Sequence, residues 1–328
     1  LLKILITGIT GLIGRETLSR LLNVDAELDI TALVRPDTDT SRFDRFSDRI
    51  QLEYIDLADI KNLLAYLSDH RFDVYVLIGA LRGGRRASHE MYYRTNVQST
   101  EQFIAAALKY DTNLIFCSSV GVFGAIPQEM PAGNETEYRE DNYYHYTKVV
   151  CEKLINKAIL RGLKALILRP SITYGVGDQG FPAQLVRLVD KRIFPVSNKS
   201  IWMHLCHVDT ISTAFVNAIV GKAQISGKAY NVADMEPVRQ SDLVNFIYRQ
   251  LHNKNYPEFI RIDNNILRMG ETLARLIKNE LWTSRFELIS HSWFYQVHDS
   301  YEALSLPQHY TIPDFRIITD HYKRLKGK

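Results

Sequence analysis

Residues 2–14 read LKILITGITGLIG, and the interpretation of the whole chain starts from this stretch. The apolar run Leu2, Ile4, Leu5, Ile6 predicts a buried strand, and three glycines at spacing three follow it: Gly8, Gly11 and Gly14. In a strand-to-helix turn of this kind the first glycine permits a tight exit. The second lets the backbone approach a pyrophosphate, and the third lets the helix pack close to the sheet. The helix N-terminus adds unpaired N–H groups and a positive dipole end. Thr10, Leu12 and Ile13 complete the turn. The same pattern also suits a plain strand-to-helix connection, so its meaning depends on the rest of the chain.

Downstream, apolar β-rich runs alternate with helical patterns. Strands are expected at KILITG, DITALVR, IQLEYID, DVYVLIGA, NLIFCSS and KALILRP. Helices are expected over 15–22, near 60–67, over 92–108 and through YHYTKVVCEKLINKAIL. Fully apolar strands separated by helices indicate a parallel sheet covered on both faces. The fold class is therefore α/β: a Rossmann-like, doubly wound parallel sheet with a smaller, interleaved C-terminal α/β substrate lobe. Residues 1–175 make the dinucleotide-binding domain, to which the chain returns at about 205–233; residues 176–204 and 234–328 make the lobe.

Composition narrows the function classes. The chain has 328 residues, 46% apolar and 23% charged, with a formal net charge of +3, so there is no electrostatic case for nucleic acid. The longest apolar run, VYVLIGAL at 74–81, is far short of a membrane span. Cys117, Cys151 and Cys206 form no CxxC pair and read as reduced thiols of a cytoplasmic protein. His204, Cys206 and His207 invite a metal reading. On a strand, however, the first two face one side and the third the other, so no metal is expected.

A second constellation carries chemistry. Tyr144 and Lys148 are four residues apart on a predicted helix and share a face. A phenol with its ordinary pKa of about 10 needs a nearby cation to act as a base near neutrality, and Lys148 is placed to supply it. Tyr322 and Lys326 repeat the spacing in the charged tail. Context separates the two pairs, because the first follows a strand ending CSSVGVFG. Ser118 or Ser119 at that strand end would orient a reacting oxygen toward Tyr144.

These pieces together resemble the extended short-chain dehydrogenase/reductase superfamily, the NAD-dependent epimerase/dehydratase family. The glycine spacing, SSVGVFG, the Tyr144/Lys148 pair, NVQST at 96–100, LRPSITYG at 168–175, HVDT at 207–210 and YNVAD at 230–234 occur in the family's order. The resemblance implies Ser119, Tyr144 and Lys148 as catalytic residues. It implies dinucleotide contacts at the glycine turn, Asp56, Leu57, Gly79, Ala80, Asn96, Tyr144, Lys148 and Pro170, and a homodimer through the helices bearing Glu101 and Tyr144. Where NAD-preferring members carry an acid after the second strand, this chain has Val34 and then Arg35, which implies NADP, with NAD the alternative.

Departures from the family pattern bear on the substrate. Val120 and Gly121 stand where dehydratases resembling this fold carry an acidic pair. Ile172 and Met203 stand where nucleotide-sugar epimerases hold a diphosphate, leaving Arg187, Arg239 or Arg285 to compensate. Trp202, Met203, Trp282, Phe286, Trp293, Phe294 and Tyr295 either line an apolar pocket or form the lobe's core. The implied activity is hydride transfer between a nicotinamide and a secondary alcohol or carbonyl of a small-molecule substrate. The alternatives are a nucleotide-sugar epimerase with tightly bound NAD, and a non-catalytic dinucleotide-binding protein.

Overall fold

The computed structural model describes residues 1–82 and 87–327. Its centre is a seven-stranded, all-parallel sheet. The strands are β1 (Leu2–Thr7), β2 (Leu28–Val34), β3 (Ile50–Tyr54), β4 (Val74–Leu77), β5 (Asn113–Cys117) and β6 (Ala165–Pro170), with Ala229–Val232 on the edge beyond β6. Ile4, Leu5 and Ile6 of β1 are fully buried, which a strand covered on both faces requires. Each such side chain contributes roughly 1.5–3 kcal/mol by leaving water.

Helices cover both faces. Leu18 and Leu21 of helix Leu12–Leu21 pack with Ile211 and Phe215 of helix Val208–Ile219 on one side. Leu63 and Leu67, Phe103 and Ile155, from helices Ile60–Asp69, Ser99–Tyr110 and Tyr143–Ile159, pack on the other. Asp59 and Asn142 start two of these helices by accepting the N–H of Asn62 and His145.

Chain order runs outward from β1 to β2 and β3 in one direction, and from β4 to β5 and β6 in the other. The reversal falls between β1 and β4, and a crevice at the carboxyl ends of these strands is where such sheets take ligands.

Two local expectations are corrected. The first helix begins at Leu12 rather than Arg15, directly behind the glycine turn. The helix expected over 92–108 is a short turn, His89–Tyr92, then a π-helical stretch, Tyr93–Gln98, then the α-helix Ser99–Tyr110. A further core, containing Val186, Met203, Val244, Trp293 and Phe315, lies in the C-terminal region. There the chain is mainly helical, and its strands are two-residue pairs.

Candidate active site

The glycine turn divides into two kinds of glycine. Gly8 has φ +78°, and a Cβ there would lie 2.5 Å from the Gly79 nitrogen. A Cβ on Gly14 would lie 2.2 Å from the Gly8 carbonyl oxygen. These residues let β1, β4 and the first helix touch backbone to backbone, and the Gly79 N–H donates to the Thr7 hydroxyl at 2.9 Å. Gly11 differs. It is exposed, its backbone is in the ordinary extended region, and a Cβ would meet only the Gly8 oxygen at 3.4 Å. The fold itself does not require glycine at 11. Gly11 also starts the helix with no side-chain cap, so no cap side chain occupies the positive end of its dipole. This cradle, which a side chain at 11 would fill, fits a pyrophosphate. Thr10 is half-buried beside it.

Around the crevice the other sequence-derived positions take different places. Arg35 is exposed immediately after β2, and Val34 is buried. Asp56 is half-buried just beyond β3, where its Oδ1 accepts the Ala58 N–H at 2.8 Å, and Leu57 packs into the neighbouring core. Ala80 is half-buried just beyond β4. Asn96 is buried; its Oδ1 accepts from Leu81 N, and its Nδ2 donates to the Leu81 carbonyl and to Thr147 Oγ1 at 3.0 Å. Its amide ties the loop after β4 to the helix of Tyr144. Pro170 ends β6, buried and paired with Val232.

Tyr144 and Lys148 lie in the first turns of helix Tyr143–Ile159. Lys148 is buried, its Nζ donating to the Cys117 carbonyl at 2.6 Å and lying 6.0 Å from the Tyr144 ring centre. Burial is the main influence raising the Tyr144 pKa, with Cys117 acting the same way; Arg82 and the Ser119 hydroxyl oppose it. Burial therefore opposes ionisation of the phenol, and the Lys148 ammonium is the cation of the same helix that lies beside its ring. Ser119 accepts the Gly121 N–H at 3.0 Å.

Ser118 is committed elsewhere. It donates a short hydrogen bond to Glu152, which is fully buried and paired with Arg169 at 2.6 Å. Tyr138 donates to the same carboxylate at 2.8 Å, and Asn134 accepts from Arg169 at 3.0 Å. Of the two serines, only Ser119 faces Tyr144. Cys117 and Cys151 are buried, and burial pushes both thiols up to about 11.

One pair escaped the reading of the sequence. His145 Nδ1 lies 2.5 Å from Asp141 Oδ1, and a Cβ on Gly121 would meet the His145 ring at 2.4 Å. Burial works against the Asp141 charge, yet hydrogen bonds from His145 and the Ala125 N–H hold its carboxyl below the usual range. The imidazole thus fills the side-chain space beside Gly121, next to the Ser119 turn. The i, i+4 spacing of Asp141 and His145 at a helix start was the available signal.

The metal candidates separate. His204 Nε2 faces the Asp234 carbonyl at 2.7 Å while Nδ1 accepts the Tyr295 N–H at 3.2 Å, so backbone groups occupy both nitrogens. His207 Nδ1 accepts from Asp209 N, and its ring stacks on His309 at 4.3 Å. The aromatic set also divides. Met203, Trp293 and Tyr295 are core, Trp202 is half-buried under Arg239 at 4.9 Å, and Trp282 is exposed. The second Tyr/Lys pair fastens the tail, since Tyr322 and Lys326 both hydrogen-bond Asp190.

A family model described as the NAD dependent epimerase/dehydratase family matches residues 4–233. The chain belongs to that family. Among curated relatives it is 28% identical over 173 residues to a 2-alkyl-3-oxoalkanoate reductase of Stenotrophomonas maltophilia, covering 50% of this chain and 52% of that protein. It is 24% identical over 216 residues to a UDP-glucose 4-epimerase of Caenorhabditis elegans, covering 58% and 62%. With the N-acetyl-alpha-D-glucosaminyl-diphospho-ditrans,octacis-undecaprenol 4-epimerase of Escherichia coli O157:H7 it shares 24% identity over 77% of this chain and 73% of that one. The chain thus spans about half the length of the reductase. A solved UDP-glucuronic acid 4-epimerase from Bacillus cereus in complex with NAD superposes with a TM-score of 0.74 at 18% identity, covering 99% of each chain. That likeness shows the fold.

Proposed function

We propose that this protein is a nicotinamide-dependent oxidoreductase, NADP-preferring, that interconverts a secondary alcohol and a carbonyl on a small substrate. The observation that carries the reading is the placement of Ser119, Tyr144 and Lys148 at the carboxyl end of β5, with Ser118 withdrawn into the Glu152–Arg169 pair. When bound, the nicotinamide supplies or accepts the hydride. The chain's own residues do the rest. Gly11 and the helix start behind it receive the pyrophosphate, and Arg35 pairs with a 2′-phosphate. Ser119 holds the substrate oxygen, and Tyr144, protonated at neutral pH, donates its proton to that oxygen in the reducing direction. In the reverse direction Tyr144 starts as the phenolate, beside the buried Lys148 ammonium, and takes the proton from the substrate hydroxyl to return to the phenol.

The relatives include a reductase and several epimerases, and two observations favour the reductase side. Met203 is fully buried in the C-terminal core, and Ile172 packs against it, so neither position offers a cation to a substrate diphosphate. The epimerase reading keeps its ground in the longer match to the undecaprenol-linked 4-epimerase. The homodimer implied by the resemblance would use helices Ser99–Tyr110 and Tyr143–Ile159.

The test is a parallel titration with NADPH and NADH of wild type and Arg35→Ala, followed by a carbonyl screen with Tyr144→Phe as control. Tighter NADPH binding, weakened about tenfold in Arg35→Ala, is expected from one lost charge-assisted contact. Turnover consuming NADPH should fall about 10²–10⁴-fold in Tyr144→Phe while nucleotide still binds. NAD retained through purification, with no net consumption on turnover, would move the protein to the epimerases.

A further inference from the structure

The antiparallel pair of helices Asn264–Leu276 and Glu280–Ser290 has a face that the fold leaves uncovered. Helix Asn264–Leu276 buries Asn264, Leu267 and Ala274. Ile266, Met269, Leu273 and Leu276 recur at spacings of three and four on a different side and form one stripe. The stripe is open to solvent: Leu273 is 60% exposed and Leu276 73%. It continues around the tip of the pair through Ile277, Leu281 and Trp282, of which Ile277 is 72% exposed. Isolated exposed apolar residues need no explanation, but seven on one helix pair and the connection between its helices do.

The charges around this stripe have one prevailing sign. Between Asn264 and Phe286 the exposed cations are Arg268, Arg275, Lys278 and Arg285, and the exposed carboxylate is Glu280. The other acid of the segment, Glu271, is turned inward, bonded to Arg275 and His291. Glu287, just beyond it, is buried and also bonded to Arg275. The Arg285 guanidinium sits over the Trp282 ring at 5.1 Å, joining the basic side to the aromatic edge.

An apolar stripe with a tryptophan at its margin and long basic side chains on its polar side suits the boundary between lipid headgroups and acyl chains. Leucine, isoleucine and methionine enter the apolar layer, tryptophan sits at headgroup depth, and arginine and lysine reach anionic phosphates. We infer that the 264–286 helix pair is a docking surface for an anionic lipid bilayer, which the protein meets peripherally. No helix among the described residues is long and apolar enough to cross a membrane, so the association would lie in the interface plane. The inference does not rest on the proposed activity, because none of these residues is among the candidate catalytic or dinucleotide-binding positions.

The test is sedimentation of the full chain with sucrose-loaded vesicles of phosphatidylcholine alone and of phosphatidylcholine with 30% phosphatidylglycerol (about a third anionic lipid). Wild type should bind the anionic vesicles at least tenfold more tightly than the neutral ones, and raised salt should weaken that binding. Leu273→Glu/Ile277→Glu should lose it. Arg268→Gln/Lys278→Gln/Arg285→Gln, which leaves the apolar stripe intact, should lose most of it and guards against a misfolded double variant. Failure of wild type to sediment with either vesicle, or equal binding to both, overturns the inference. So does a solution dimer that Leu273→Glu/Ile277→Glu dissociates, which would give this face to a second copy of the chain.

Discussion

The sheet and the C-terminal region are built on different economies of packing. In the sheet, β1, β4 and the first helix meet backbone to backbone at Gly8, Gly14 and Gly79, and at Gly8 and Gly14 the contacts leave no room for even a methyl group. In the C-terminal region the corresponding tightness comes from buried polar groups. Asp234, fully buried, accepts from Tyr174, Thr311 and the His207 N–H, and His204 bridges Asp234 and Tyr295. Backbone contact fixes the strands at the glycine turn, and buried hydrogen bonds reinforce the apolar core of the C-terminal region. The first should tolerate pH and fail to substitution of its glycines; the second should do the opposite.

Gly14→Val breaks the comparison most severely. Its side chain would collide with the Gly8 carbonyl, which is backbone and cannot swing away, so stability to urea should fall by more than about 4 kcal/mol. Recovery of a variant with near wild-type stability would show that the interlock is looser than its distances indicate.

Glu152→Gln comes next, because Glu152 and Arg169 are a buried pair shared between the helix of Tyr144 and β6. Leaving Arg169 charged without its carboxylate should cost about 3–5 kcal/mol, read from the urea midpoint. The substitution also frees Ser118. If Ser119 alone faces the substrate oxygen, any activity remaining in folded Glu152→Gln should keep its KM.

The smallest of the three effects is pH-dependent and belongs to the C-terminal region. Burial lowers the His204 pKa from 6.5 to about 4, so the folded state prefers the neutral ring. Its contribution is complete above pH 6.5 and is lost as pH falls toward 4, amounting to roughly 3 kcal/mol. Asp234 works oppositely. Burial raises its pKa to about 6, so its contribution is complete below its ordinary 3.8 and is lost as pH rises through 6. Comparing wild type with His204→Gln at pH 7 and pH 4.5 isolates the histidine, and the variant should lose less stability on acidification. Hydrogen exchange at low pH should open residues 202–206 and 293–297 before β1. Simultaneous opening would mean that the two regions are one cooperative unit.

The same contrast explains what the sequence could reveal. Strands buried on both faces are continuous apolar runs, so β1, β2, β4, β5 and β6 and the glycine turn between β1 and the first helix are visible without coordinates, while edge strand β3 reads IQLEY. The Tyr144/Lys148 pair is visible because helical spacing and a preceding strand fix its context. Asn96 is reached by resemblance through NVQST, while its bonds to Leu81 and Thr147, 15 and 51 residues away, are visible only in the structure. The choice between Ser118 and Ser119 depends on Glu152, which is distant in sequence. In the C-terminal region the strands are two residues long, too short for any periodicity, and the solvent-facing stripe from Ile266 to Ile277 resembles an ordinary core face until its exposure is known.

Gly11 bears most directly on the central claim, that the turn exists to receive a dinucleotide. Gly11→Val places a side chain where the protein has space and the proposed pyrophosphate would lie. Its φ of −78° and ψ of 171° suit any residue, so folding stability should stay within about 1 kcal/mol of wild type. Titrated with NADPH and NADH by nucleotide fluorescence, this folded variant should bind at least a hundredfold more weakly than wild type. Unchanged binding in Gly11→Val would contradict the account and reduce the turn to a connection between a strand and a helix.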